Sequence, residues 1–188
     1  MEPLLTTFIA AGLGEFGDKT QLLVVALAAR YGRPGAILAG VAVAALANSL
    51  IAAAGGIVIH DMITLRAISL LVALALLFAG GGSLISLRPR MNVAGWKTPA
   101  FITAAGGFFI AEFGDKTQFL TGALAAQYDS LPLAALGAAA GIVLASAPAA
   151  VLGQRLGDVL PLTAIRIGVA CLFLVAGFIV AVGALRLT

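Results

Sequence analysis

Glu15-Phe16-Gly17-Asp18-Lys19-Thr20-Gln21 recurs letter for letter as Glu112-Phe113-Gly114-Asp115-Lys116-Thr117-Gln118. The copies are 97 residues apart (15 to 112), and each interrupts an apolar run in a chain of 188 residues. Around them the likeness continues: from Glu15–Tyr31 to Glu112–Tyr128, 13 of 17 positions are identical. Three residues of each copy are ionisable. A charge at bilayer depth costs roughly 2.5–3.5 kcal/mol on insertion scales, so six of them at matching places need a purpose that offsets the cost.

The surroundings are those of a membrane protein. The chain is 62% hydrophobic and 10% charged, with a mean hydropathy of +1.13, whereas a soluble domain carries about 25% charged residues. The net charge of +3 and pI near 9.5 would point to nucleic acid in a soluble protein. Here the bases mostly lie between apolar spans and no basic, aromatic-interleaved surface exists, so nucleic acid is excluded as a partner and the charges are read as topology signals. The single cysteine, Cys171, rules out an intrachain disulfide and a cysteine metal cage, and a buried packing role is expected for it. The start, Met1-Glu2-Pro3, lacks the basic region of a signal peptide, so the first span is expected to remain in the mature protein.

A span needs about 20 apolar residues at 1.5 Å rise per residue. Six segments qualify: Leu4–Ala29, Gly35–Ile59, Leu65–Leu87, Ala100–Ala126, Leu131–Gly153 and Leu162–Leu185. The 97-residue offset maps Gly40 on Gly137, Ser49 on Ser146, Gly56 on Gly153, Asp61 on Asp158 and Ala79-Gly80 on Ala176-Gly177. Each half therefore holds three spans. Three is odd, so the second half enters the membrane from the opposite face, as in the inverted repeats of many secondary transporters. The expected fold is an all-α integral membrane protein of six transmembrane helices in two inverted three-helix repeats, residues 1–87 and 100–188, joined by a short cytoplasmic link at 88–99. Arg30, Arg33, Arg88, Arg90, Lys97, Arg155 and Arg166 fall on one face, against Arg66 and Arg186 on the other. The basic face is placed in the cytoplasm, with both termini outside, and Trp96 beside Lys97 is read as an interfacial anchor.

On an unbroken helix Glu15 and Asp18 share a face, about 4.5 Å apart along the axis, and Gln21 continues the row. Glu112, Asp115 and Gln118 repeat it. If the first and fourth spans meet at the pseudo-axis, four carboxylates converge with two amide oxygens. Thr20 and Thr117 add hydroxyls if the helices unwind locally, and Gly17 and Gly114 permit either such a distortion or a close crossing. Hard oxygen ligands suit Ca²⁺, Mn²⁺ or Mg²⁺, and not Cu(I) or structural zinc. Lys19 and Lys116 can each pair with their own Glu or with the opposite repeat. The four acids and two lysines sum to −2, the complement of one divalent cation. The plainer reading is that these charges only pair and fix register. Clustered carboxylates also retain protons until a metal neutralises them, so metal binding would expel protons.

The doubled pattern Glu-x-Gly-Asp-(Lys/Arg)-(Thr/Ser), on the first spans of two three-helix halves, resembles the Golgi, chloroplast and bacterial manganese/calcium transporters of the cation/Ca²⁺ exchanger superfamily. Both copies fit at every position, and the likeness runs from the first span to the sixth. The resemblance implies six spans in two inverted repeats, Mn²⁺ or Ca²⁺ as transported substrate with no cofactor, and exchange against H⁺. It implies a site with Glu15, Asp18, Glu112 and Asp115 at its core. Larger relatives carry a long acidic central link that is short here.

Weaker candidates surround the motif. Asn48 and Ser49 lie mid-span, with Ala145 and Ser146 as their counterparts, so a ligand role for Asn48 is asymmetric and interhelical bonding is the commoner use. Pro148 is expected to kink the fifth span. His60-Asp61 reads as a pair at the outer mouth. The expected function is export of Mn²⁺ first, Ca²⁺ second, in exchange for H⁺, at a bacterial inner membrane. The rival readings are a passive divalent-cation channel, a non-transporting scaffold, export of a cationic metabolite, and, remotely, an intramembrane aspartyl hydrolase. That enzyme would leave the glutamates, lysines and glutamines without a role.

Overall fold

The structure, a computed structural model, describes residues 1–85 and 97–185. Arg88, Arg90, Trp96, Arg186 and most of the 88–99 link lie outside the described residues. Those described are helical throughout, with no strand. The first half comprises α1 (Glu2–Glu15), α2 (Lys19–Tyr31), α3 (Pro34–Met62) and α4 (Leu65–Leu84). The second comprises α5 (Ala100–Glu112), α6 (Lys116–Tyr128), α7 (Leu131–Leu152), the short α8 (Leu156–Val159) after a 3₁₀ turn at Gly153–Arg155, and α9 (Leu162–Leu185).

Among the described residues, four stretches are long and apolar enough to cross a membrane: Pro34–Met62, Leu65–Leu84, Leu131–Val159 and Leu162–Leu185. The first and fourth expected spans differ, because each is two helices of 13 or 14 residues. At 1.5 Å per residue each piece reaches about 20 Å, too short to cross alone. The break falls inside the repeated motif, so the single-face arrangement expected of Glu15, Asp18 and Gln21 is not what forms. Phe16 turns extended (ψ 124°), Gly17 takes φ +74°, and Asp18 becomes the cap of α2. Phe113 (ψ 123°), Gly114 (φ +75°) and Asp115 repeat the path. Left-handed backbone of this kind is open to glycine at little cost. Of the two uses expected for these glycines, the helix distortion is realised.

Helices of one half pack on the other: α1 lies along α7, α5 along α3, and α4 along α9. Gly40 and Gly137 make the first two contacts possible. A Cβ at Gly137 would collide with the carbonyl oxygen of Leu4, and one at Gly40 with that of Phe101, which is the residue 97 on from Leu4. The helix ends are tied in the same reciprocal way. The Tyr31 hydroxyl is 2.9 Å from Thr103 Oγ1, and that of Tyr128 is 3.1 Å from Thr6 Oγ1. Van der Waals contact between small residues supplies the packing energy where lipid offers no hydrophobic drive.

The outward surface is apolar. Leu172, Val175, Phe178 and Ile179 are all more than half exposed, which suits contact with acyl chains. Cys171 shares that outward face of α9 and is exposed, so the packing role expected for it is corrected. The helix is uniformly apolar, and its composition does not mark which side faces the core. Pro148 lies within α7, which ends one turn later. His60 Nδ1 donates to the Ala126 carbonyl (2.7 Å), while Nε2 stands 3.9 Å from Asp129. It thereby ties the end of α3 to the end of α6, and Asp61 is exposed.

Candidate cation site

Breaking a helix leaves backbone groups without partners. The motif supplies them from its own last residue. Gln21 Oε1 accepts from the Gly17 amide (2.9 Å), and Gln118 Oε1 accepts from the Gly114 amide (2.7 Å). Each glutamine then reaches across to the other half. Gln21 Nε2 donates to the Ala145 carbonyl (2.9 Å) and Gln118 Nε2 to the Asn48 carbonyl (3.3 Å). The amide oxygens expected among the ligands are thus engaged in bracing the breaks. The Asn48/Ala145 mismatch also resolves, because it is the backbone at both positions that accepts.

Asp18 and Asp115 cap α2 and α6 through their backbone carbonyls, while their carboxylates make no bond to their own helices. The partially positive helix start favours a carboxylate there, and opposes the lysine that follows. The opposite half compensates those lysines. Lys19 Nζ lies 2.8 Å from Asp115 Oδ1, and Lys116 Nζ lies 3.1 Å from Asp18 Oδ2. Of the two pairings open to the lysines, the structure has the one between repeats.

Glu15 ends α1 and Glu112 ends α5, both 1% exposed. Carboxylate oxygens of Glu15, Glu112 and Asp115 lie within 4.8 Å of one another. Asp18 is not part of this trio and stays with Lys116. Both Glu15 oxygens accept hydroxyls, Oε1 from Thr117 (2.7 Å) across the halves and Oε2 from Thr20 beside it. Both Glu112 oxygens, and Oδ2 of Asp115, are buried with no hydrogen-bond partner. Buried polar atoms are ordinarily satisfied, and carboxylates this close repel when ionised. Orphaned hard oxygens in such a group have the chemistry that coordinates a divalent cation.

The remaining candidates lie around this trio. Asn48 is buried, its Nδ2 donating to the Phe109 carbonyl (3.2 Å) and its Oδ1 without a partner. Ser49 and Ser146 are buried at matching places on α3 and α7. The reading of the residues missed Arg166, taken only as a topology charge, which packs against Gly17 with its Nε buried. The available signal was its mismatch with Ser69 at the 97-residue offset.

The family described as "Divalent cation/proton antiporter GDT1" matches residues 3–90 and, separately, 100–187. A protein of Vibrio cholerae serotype O1 (strain ATCC 39541 / Classical Ogawa 395 / O395), described as "Putative manganese exporter", is 36% identical over 175 residues, 93% of this chain and 88% of that protein. No solved structure matches the chain. The two family matches each take in one copy of the motif, and together they cover nearly every residue: this chain belongs to the GDT1 family of divalent cation/proton antiporters, multi-pass membrane transporters and not enzymes.

Proposed function

We propose that this chain exports Mn²⁺, with Ca²⁺ as the second choice, in exchange for H⁺. In this reading six spans form two inverted repeats, residues 1–87 and 100–188, linked by 88–99. The basic loops are cytoplasmic, both termini lie outside, and the membrane is a bacterial inner membrane. The observation that carries the reading is the trio of buried Glu15 and Glu112 with half-buried Asp115, their oxygens within 4.8 Å of one another. Residues of both repeats build it, at the meeting point of two broken helices, where transporters place their ion sites. The description of the Vibrio cholerae relative favours Mn²⁺.

The chemistry follows from the charges. Asp18 with Lys116 and Asp115 with Lys19 are internally compensated, which leaves a surplus of −2 on the two glutamates. One divalent cation neutralises that surplus, and so do two protons, so the species compete for the same oxygens. Asp115 Oδ2 and the Glu112 oxygens would take the metal first, since nothing else engages them. The glutamines hold the breaks in shape, and the threonines orient Glu15.

The decisive experiment is Mn²⁺ flux in proteoliposomes with and without an imposed pH gradient, comparing wild type with E15Q and E112Q. Flux driven by the gradient, accompanied by opposite proton movement and lost in both variants, is expected. Flux indifferent to pH would indicate a channel. Absence of flux and of metal binding would leave the charges as structural pairs.

A further inference from the structure

The two breaks share sequence and backbone path, yet they are covered differently. A Cβ built at Gly17 would lie 3.1 Å from the Leu162 carbonyl oxygen and 3.2 Å from Arg166 Cβ, both at the start of α9. The same atom at Gly114 would meet nothing within 4 Å. Gly114 instead lines an open cavity of about 610 Å³ together with Asp115, Gln118, Phe119, Leu74 and Phe78. The 97-residue offset places Leu65 and Ser69 of α4 where α9 has Leu162 and Arg166. Ser69 turns its hydroxyl onto its own helix, to the Leu65 carbonyl (3.0 Å).

The glutamates divide along the same line. On the covered side both oxygens of Glu15 are held by hydroxyls, and on the open side those of Glu112 are bare. Arg166 itself is poised. Its stem packs on Gly17, while its Nε is buried without a hydrogen bond, and it makes no ion pair with a described residue. A buried donor without an acceptor is a cost that moving the side chain would relieve. Packing holds the residue in place, and no polar latch opposes its release.

We propose that Arg166 is a positioning residue of the transport cycle: lying on Gly17, it keeps the start of α9 over the first break and shuts that entrance while the Gly114 side is open. The inference rests on the antiporter reading, and on the proposed topology the shut entrance is the cytoplasmic one. Exchange requires that both entrances never be open together, since metal would otherwise cross without a proton. In the opposite state α9 lifts from Gly17, and the Ser69 turn of α4 closes on Gly114.

Two measurements on the full chain test this. In proteoliposomes R166A is expected to keep Mn²⁺ flux while proton counter-movement per Mn²⁺ falls below half the wild-type ratio. R166K, which keeps the stem that packs on Gly17, restores the ratio. An R166A ratio equal to wild type overturns the proposal, as does a loss of flux at unchanged ratio, which is what a merely structural role produces. The second measurement needs no transport. In a C171S background, F16C is expected to react with a water-soluble maleimide at least about fivefold faster when R166A is added, and F113C at an unchanged rate. Equal F16C rates overturn the proposal. Failure of the antiporter reading shows separately, as wild-type protein that moves no Mn²⁺ with protons.

Discussion

Glu15 and Glu112 hold equivalent places at the ends of α1 and α5, yet Thr20 and Thr117 both donate to Glu15 and neither donates to Glu112. The two halves carry the same seven residues, so this difference comes from the conformation and from the residues that surround each copy. It predicts opposite stability effects for the same substitution. E112Q removes an unbonded buried carboxylate and should raise the melting temperature of metal-free protein in detergent. E15Q takes away one of the two carboxylate oxygens that Thr20 and Thr117 hydrogen-bond and should lower stability by about 1–3 kcal/mol. Equal shifts would mean that the glutamates are not distinguished as described.

Thr117 is the hydroxyl that crosses between halves, 2.7 Å from Glu15 Oε1. It does not belong to the carboxylate trio, but it orients one member. T117V keeps the shape and removes the donor, so Mn²⁺ affinity should fall about 10–100-fold, the usual cost of losing a group that orients a ligand. T117S should bind as wild type does. Titration of Mn²⁺-dependent thermal stabilisation measures both, and unaltered affinity in T117V would separate the hydroxyl from the site.

Much of this arrangement could be read from the chain, and what could not has identifiable causes. The doubled motif marks the carboxylates, and apolar length marks the four long helices found among the described residues. The break at Phe16–Asp18 was left open, since a glycine between two acids serves a distortion or a close crossing equally well. The lysine pairing was equally open, because i+4 and cross-repeat partners were both in reach. Gln21 and Gln118 were read as ligands because an amide oxygen coordinates metals, but the break created amides that claimed those oxygens first. Cys171 was misplaced because α9 is apolar on every side. Arg166 reads as a topology charge at the start of the sixth span because its contact, Gly17, lies far away in sequence.

The cross-repeat ion pairs are unequally buried. Lys116 and Asp18 side chains are 7% and 11% exposed, against 26% and 14% for Lys19 and Asp115. Breaking a buried pair by removing one partner costs about 3–5 kcal/mol, because the other charge is stranded. K116M should therefore destabilise the protein more than K19M, and K116M/D18N should recover most of the loss. Unfolding of the four proteins in one detergent checks this, and a double variant no better than K116M would show that the pair is not the cause.

Gly17 and Gly114 share a left-handed backbone, φ +74° and +75°, so G17A and G114A both pay the left-handed penalty of about 1–2 kcal/mol. Only G17A adds a tight contact. Its methyl would press on the Leu162 carbonyl and on Arg166, whereas the methyl of G114A points into open space. G17A should be the less stable variant, and G17A/R166A should not recover the difference, because the close atoms are the Leu162 carbonyl oxygen and the Arg166 Cβ, which alanine keeps. The same comparison reads the conformation in solution. If G17A and G114A melt together, the protein samples both coverings equally and the asymmetry of the two breaks is not the resting state. If G114A proves the worse, α4 rather than α9 is the helix that sits closed.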